Sequence, residues 1–164
     1  SVNLKRNAVL ATAYKLSETA LDEYKERVIE TIGERKEQVI KDKMAEGRME
    51  KDPVSKADII VTDKGNTLCY DYTSSRYFYG DIDKIKKAEN ILNRRMMSDM
   101  YVSLNEFYDE IGVDHMPDIG DDMGWNIDDG LIDIYFSAKL NEKDEPSIVI
   151  IHNNVPKYNY NKLY

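Results

Sequence analysis

The sequence predicts an α+β domain, in which a long N-terminal helix and two further helices pack on a mainly antiparallel sheet of about five strands. Three observations carry this. Apolar residues recur at three-to-four-residue spacing in two long stretches, which is the period of a helix with one buried face. Short alternating or β-branched runs stand after them, bounded by Gly, Asn, Asp and Ser. The chain of 164 residues is long enough to bury one core and short enough to need only one. Residues 1–50 are the helical segment and 51–164 the α+β portion of the same domain.

The elements follow in order. Leu4 to Gly47 reads as helix, with Leu10, Tyr14, Leu21, Tyr24, Val28 and Ile32 on one stripe, a kink or end at Gly33, and Val39, Ile40 and Met44 on a weaker continuation. The spacing fits a helix lying on a sheet and equally a self-associating seam. Lys51 to Ser55, with Pro53, reads as a linker. Asp58–Thr62 and Thr67–Tyr72 read as a hairpin turned by Asp63-Lys64-Gly65-Asn66, and Arg76–Tyr79 as a third strand. Asp81 is placed to cap a helix to about Met97, with Ile82, Ile85, Ala88, Ile91, Leu92 and Met96 on its apolar face. Tyr101-Val102 is extended. Ser103 and Glu106 form a capping box for a helix ending near Gly112. Val113 to Gly130 reads as loop, Leu131–Leu140 and Ser147–His152 as a second hairpin, and the tail from Asn153 as extended surface chain.

Charge narrows the function classes. The net charge of −8 argues against non-specific nucleic-acid binding. It is unevenly spread: Glu106 to Glu145 holds 13 acidic residues and two lysines, a net of −11, while the remainder is +3. This predicts a strongly acidic surface region, suited to a cation or a basic partner. The single cysteine, Cys69, sits in a predicted strand and reads as a small buried apolar residue. No run approaches the ~20 apolar residues of a spanning helix.

Chemistry-bearing motifs are sparse. Asp118, Asp121, Asp122, Asp128 and Asp129 lie close in sequence, and oxygen ligands at short spacing suit a hard cation. Their spacing departs from the calcium-loop pattern, so turn-making and capping are the competing roles. His115 and His152 lack a sequence-adjacent nucleophile of any known elbow. Zinc, phosphate-loop and dinucleotide motifs do not occur in the sequence, so no cofactor is expected. Twelve tyrosines, among them Tyr70, Tyr72, Tyr77 and Tyr79, suit either a half-buried sheet or a partner surface. Trp125, between Gly124 and Asn126, is an anchor for its loop. Lys86-Lys87 and Arg94-Arg95 form a solvated helix face that also suits phosphate or acidic lipid.

Several ordered segments together resemble a known family: DYTSSRYF (71–78), KAENILNR (87–94), VSLNEFYDEIGV (102–113) with the trailing GDDMGW (120–125), and ATAY (11–14) with DEYKERV (22–28). The resemblance, from about Asn7 to Ile151, is to an uncharacterised family found in phages and prophages of Gram-positive bacteria. It implies hydrophobic, membrane-type segments ahead of this portion, with Lys5-Arg6 as juxtamembrane charges. It supplies no catalytic residues. Beyond Asp129 the chain is least like these relatives.

The expected function is therefore a non-enzymatic phage- or prophage-encoded interaction domain, tethered at a membrane or within a virion-associated assembly, on the cytoplasmic side of the host cell. A protein partner is expected, with Tyr77, Tyr79, Asp121, Asp122, Trp125, Asp128 and Asp129 as contact residues, and self-association through the N-terminal helix as a further expectation. Two alternatives stand beside it: an acidic anti-defence protein blocking a host nucleic-acid-binding factor, and a metal-dependent hydrolase using Asp118, Asp121 and Asp122.

Overall fold

The structure is a computed structural model describing residues 20–30 and 38–163. Its centre is a five-stranded sheet in the order β1 (Ile59–Ile60), β3 (Arg76–Gly80), β2 (Thr67–Asp71), β7 (Pro146–His152), β6 (Ile134–Leu140). A second sheet of β4 (Tyr101–Ser103), β5 (Met123–Asn126) and β8 (Lys157–Tyr158) stands beside it. The helices are α1 (20–30), α2 (Gln38–Lys51), α3 (Ile82–Asp99) and α4 (Leu104–Ile111).

The period-two alternation of the central strands sorts the core into two faces. Cys69, Phe78, Phe136, Ile148 and Ile150 point to one side and meet Val28 of α1, Leu92 of α3, and Phe107 and Tyr108 of α4. Leu68, Tyr70, Tyr77, Tyr135, Val149 and Ile151 point to the other and meet Ala45 and Met49 of α2. On that second face the phenol ends find acceptors on or just beyond α2: Tyr70 Oη donates to Asp52 Oδ2 (2.7 Å), Tyr77 Oη to the Asp52 carbonyl (2.9 Å) and Tyr135 Oη to Asp42 Oδ1 (3.0 Å). A buried phenol is stabilised by a hydrogen-bond partner for its hydroxyl, and α2 with the residue that follows it supplies these acceptors. Tyr70, Tyr77 and Tyr135 are buried in the packing of this face. Cys69 is fully buried, and burial pushes its thiol up to about 12.

The α+β class holds, but the sheet is mixed rather than mainly antiparallel. Two of its four pairings, β1 with β3 and β2 with β7, are parallel. The expected hairpin of the first two strands does not form. β2 turns directly into β3 through Tyr72–Ser75, where Ser74 N–H and Ser75 N–H bond the Asp71 side chain (3.1 Å) and carbonyl (2.8 Å). β1 instead takes the outer edge of β3. The connecting loop crosses the end of that strand so closely that a Cβ on Gly65 would lie 2.4 Å from the Gly80 carbonyl oxygen. A parallel edge strand cannot be told from a hairpin partner by local pattern, because both carry the same alternation.

Of the predicted N-terminal helix, residues 20–30 and Gln38–Lys51 are helical, and the expectations for Leu10, Tyr14, Ile32 and Gly33 fall outside the described residues. Among the described residues helix continues through Gly47 to Lys51, where the linker was expected to begin. Val28 buries itself in the core, as packing within the domain requires. The stretch expected as loop contains β5, and the tail contains β8 with Tyr160 buried. The caps read from sequence are present: Asp81 Oδ1 accepts from Lys84 N–H (3.2 Å), and Ser103 and Glu106 close a reciprocal capping box. Among the described residues no helix is long and apolar enough to cross a membrane.

Candidate functional site

Two places concentrate polar chemistry. The first lies at the inner end of β2. Asp71, fully buried, accepts at Oδ2 from Tyr108 Oη (2.6 Å), Ser74 Oγ (2.6 Å) and Ser74 N–H (3.1 Å). Arg76, its register partner on β3, donates to Ser74 Oγ (2.9 Å) and to the Asp114 carbonyl (2.6 Å), and its guanidinium stands 4.7 Å from the Tyr108 ring centroid. His152, at the end of β7, is buried against Phe107 and Trp125, with ring centroids 4.8 and 5.0 Å away. Asp71 Oδ1, Arg76 Nη2 and both His152 ring nitrogens have no hydrogen-bond partner among the described residues.

The electrostatics of this cluster oppose its use as a nucleophile or base at the surface. Burial and the neighbouring Asp71 carboxylate raise the Tyr108 phenol, so it stays protonated and donates. Burial pushes His152 down to about 4, outweighing the opposite pull of Asp71 and Asp133, so the ring is neutral at pH 7. Tyr108 and Asp71 have no exposure, and His152 has 4%. The groups join α4, the β2–β3 turn and the end of β7 rather than facing solvent. Sequence reading missed this constellation, because its members come from four separate segments. The only local signal was an aspartate closing the apolar run Leu68-Cys69-Tyr70.

The second place is the rim of the small sheet. β5 pairs on one side with β4 and on the other with β8, and its two ends carry Asp121-Asp122 and Asp128-Asp129, all exposed. Beneath it Trp125 is buried to 2% exposure and donates from Nε1 to the Asn154 carbonyl (2.7 Å). Asn126 Nδ2 donates to the Tyr160 carbonyl (2.8 Å), and Tyr160 Oη to the Asp121 carbonyl (2.7 Å), which stitches the tail onto the sheet. The strand's end runs back along α3: Ile127 N–H bonds the Met100 carbonyl (2.8 Å), and Asn93 clasps the Ile132 backbone through Nδ2 (3.0 Å) and Oδ1 (2.8 Å). Asn93, Met97 and Met100 share one line of the helix. Between these bonds the helix exposes Met97 (62%) and Met100 (38%), and the segment held along it exposes Leu131 (39%), Asp128 and Asp129.

Met100 is the informative residue here. It caps α3 in the left-handed region, φ +78°, a position that favours glycine. A bulky side chain there costs on the order of 1 kcal/mol. The sequence keeps a partly exposed methionine where glycine would relieve the backbone.

The predicted contact residues thus separate. Asp121, Asp122, Asp128 and Asp129 are exposed on the small-sheet rim. Trp125 lies underneath them, and Tyr77 lies in the opposite core face at 1% exposure, so neither presents surface. Tyr79 is partly buried against the same face as Tyr77. Asp118, Asp121 and Asp122 do not converge: among the described residues no group of three or more acidic, His or Cys side chains is placed to hold a metal ion. Asp121 instead accepts at Oδ1 from Asn105 Nδ2 (3.1 Å).

The acidic segment is not one patch. Arg95 pairs with Glu106 (3.2 Å) and Glu110 (3.0 Å), His115 with Asp109, and Lys157 with Asp129 (3.9 Å). Glu142, Asp144 and Glu145 sit in the β6–β7 turn, roughly 20 Å along β6 from Asp133.

Asn105 fixes the loop that carries Asp121. It is buried, accepts from Met116 N–H (2.8 Å) and donates its own backbone N–H to the Gly120 carbonyl (2.9 Å). A Cβ on Gly120 would stand 2.0 Å from Asn105 Oδ1. Gly120→Ala is therefore expected to destabilise the fold by about 2 kcal/mol, read as a lower urea midpoint at unchanged m.

A family of unknown function, DUF6353, matches residues 1–161. The chain belongs to this family. Comparison with curated proteins and with solved structures gives no match.

Proposed function

We propose that this DUF6353 chain is a non-enzymatic interaction domain, and that the small-sheet rim with the end of α3 is its docking face. The observation that carries the reading is Met100, kept part-exposed at a backbone position that favours glycine, on a stretch of α3 that also exposes Met97 and that holds the segment carrying exposed Leu131. Strain at an exposed side chain points to a use for that side chain. Methionines adapt to varied partner surfaces. The surrounding carboxylates Asp121, Asp122, Asp128 and Asp129, of which only Asp129 has an ion-pair partner among the described residues, select a partner bearing apolar and basic side chains. The finer setting follows the resemblance: a phage- or prophage-encoded protein of Gram-positive hosts, acting on the cytoplasmic side of the membrane or in a virion-associated assembly.

Met100→Gly tests this directly. The variant is expected to fold more stably by up to about 1 kcal/mol, yet to retain less partner in a crosslinking pull-down from host lysate. Asp128→Asn with Asp129→Asn is expected to weaken the same capture and make it less sensitive to salt. A partner held equally by all three baits rules out this face. Failure of the wild-type domain to retain any partner rules out the interaction reading.

A further inference from the structure

A second surface of opposite sign lies away from the docking face. The loop between β1 and β2, the N-terminal half of α3 and the end of α4 border a groove of about 320 Å³, lined by Asp63, Lys64, Lys84, Lys87, Ala88, Ile91 and Glu110. The volume lies at the low end of the range for small-molecule pockets. Lys84, Lys87, Ala88 and Ile91 fall at i, i+3, i+4 and i+7 and so share one face of α3, with two ammonium groups beside an apolar floor.

The third lysine is held opposite them. Its backbone N–H bonds Thr62 Oγ1 (3.2 Å), and Thr62 in turn donates to the Tyr79 carbonyl. Its stem lies over Gly112, where a Cβ would meet Lys64 Cγ at 2.8 Å, and Gly112 holds φ +77° to close α4. The next residue, Gly65, is pressed against Gly80 and Asp81. The ammonium of Lys64 therefore rides on a fixed loop.

Among the described residues none of the three lysines has a carboxylate ion-pair partner. Glu110 is engaged by Arg95 (3.0 Å), which leaves Asp63 at the rim as the one acid of the lining without an ion-pair partner among the described residues. In a chain of net charge −8, this groove gathers three lysines against the two acids Asp63 and Glu110, a local excess of one positive charge.

The geometry points to a binding site for a small phosphate monoester, its dianion between Lys64, Lys84 and Lys87 and its organic part over Ala88 and Ile91. Lysines bind phosphate as point charges, and the three ammonium groups around one groove offer a phosphate's several oxygens separate donors. Asp81 already caps α3 through Lys84 N–H, so the ligand lies along the side of the helix and not at its N-terminus.

The test is an NMR titration of backbone amides at pH 7.5 with inorganic phosphate and then with glycerol phosphate, each against chloride at matched ionic strength. Shifts are expected at Lys64, Gly65, Lys84, Lys87 and Ala88, with tighter binding of the ester. Binding is expected to fall at least tenfold in Lys84→Ala with Lys87→Ala, two exposed positions, with the spectrum itself confirming the fold. It is also expected to weaken as pH drops below ~6, where phosphate loses its second charge. Shifts spread over lysines elsewhere, shifts equal to those with chloride, or undiminished binding in the variant would each overturn the assignment. Lys64→Ala alone is a second check, expected to weaken binding while its own amide changes stay confined to the loop and the Gly112 end of α4.

Discussion

Trp125→Ala is expected to cost about 4 kcal/mol of stability. The indole is the largest fully buried side chain described, and it touches the ring of Phe107 edge-on at 6.2 Å and the His152 ring at 5.0 Å. Its removal opens a cavity between the two sheets. It also frees the Asn154 carbonyl, the first bond that holds the tail on β5. Trp125→Phe restores most of the volume but not the donor, and is expected to recover more than half of the loss. Urea unfolding followed by far-ultraviolet circular dichroism measures both, since the only tryptophan of the chain is the one replaced. A cost below ~1 kcal/mol would place the ring outside the core. The comparison with Met100→Gly is instructive: both are expected to lose partner, the tryptophan variant by unfolding the face and the glycine variant while the fold tightens.

The second large effect is acid sensitivity through His152. The unfolded chain protonates this ring near 6.5, whereas burial holds the folded ring at about 4. Between those values the unfolded state binds more protons, so stability falls as pH falls. The contribution is flat above pH 6.5, declines through the window, and is fully lost below about 4. The difference amounts to about 3 kcal/mol. The neighbouring Asp71 and Asp133 carboxylates oppose the shift, but burial is the larger cause. His152→Leu removes the titrating group, so wild type and variant are expected to converge in stability from pH 7 to pH 4 in urea unfolding. Parallel pH profiles for the two proteins would contradict the assignment. The interaction of the ring with Asp71 and Asp133 is part of the effect.

Much of the local structure was legible in the residues themselves. The cap at Asp81, the capping box at Ser103, the apolar faces of α3 and α4, and the β6–β7 hairpin were each fixed by near neighbours in sequence. The buried state of Cys69 followed from its strand setting. The anchoring role of Trp125 followed from its place between small and polar residues. The acidic residues were visible as a run, but a run along the chain becomes a patch only if the chain folds back on itself. Here β6 instead carries the last acids to the far end of the sheet.

What tertiary structure alone decided depends on partners distant in the chain. Strand alternation specifies which residues face the core but not which neighbour a strand chooses, so the parallel placement of β1 and of β7 against β2 lay beyond local pattern. The Asp71 cluster draws on four segments, and none of them carries a catalytic or ligand spacing of its own. Met100 reads as one more apolar residue at a helix end until the backbone sets it at φ +78°. The three groove lysines are scattered among 23 basic residues until Gly65 lets two backbones approach and Gly112 leaves room for the Lys64 stem, which brings Lys64 into the groove beside α3. The sequence by itself determined the elements and their buried faces, through propensity, capping and period. Which surfaces were left over for binding was decided by long-range packing, because exposure is a property of the assembled layers and not of any segment.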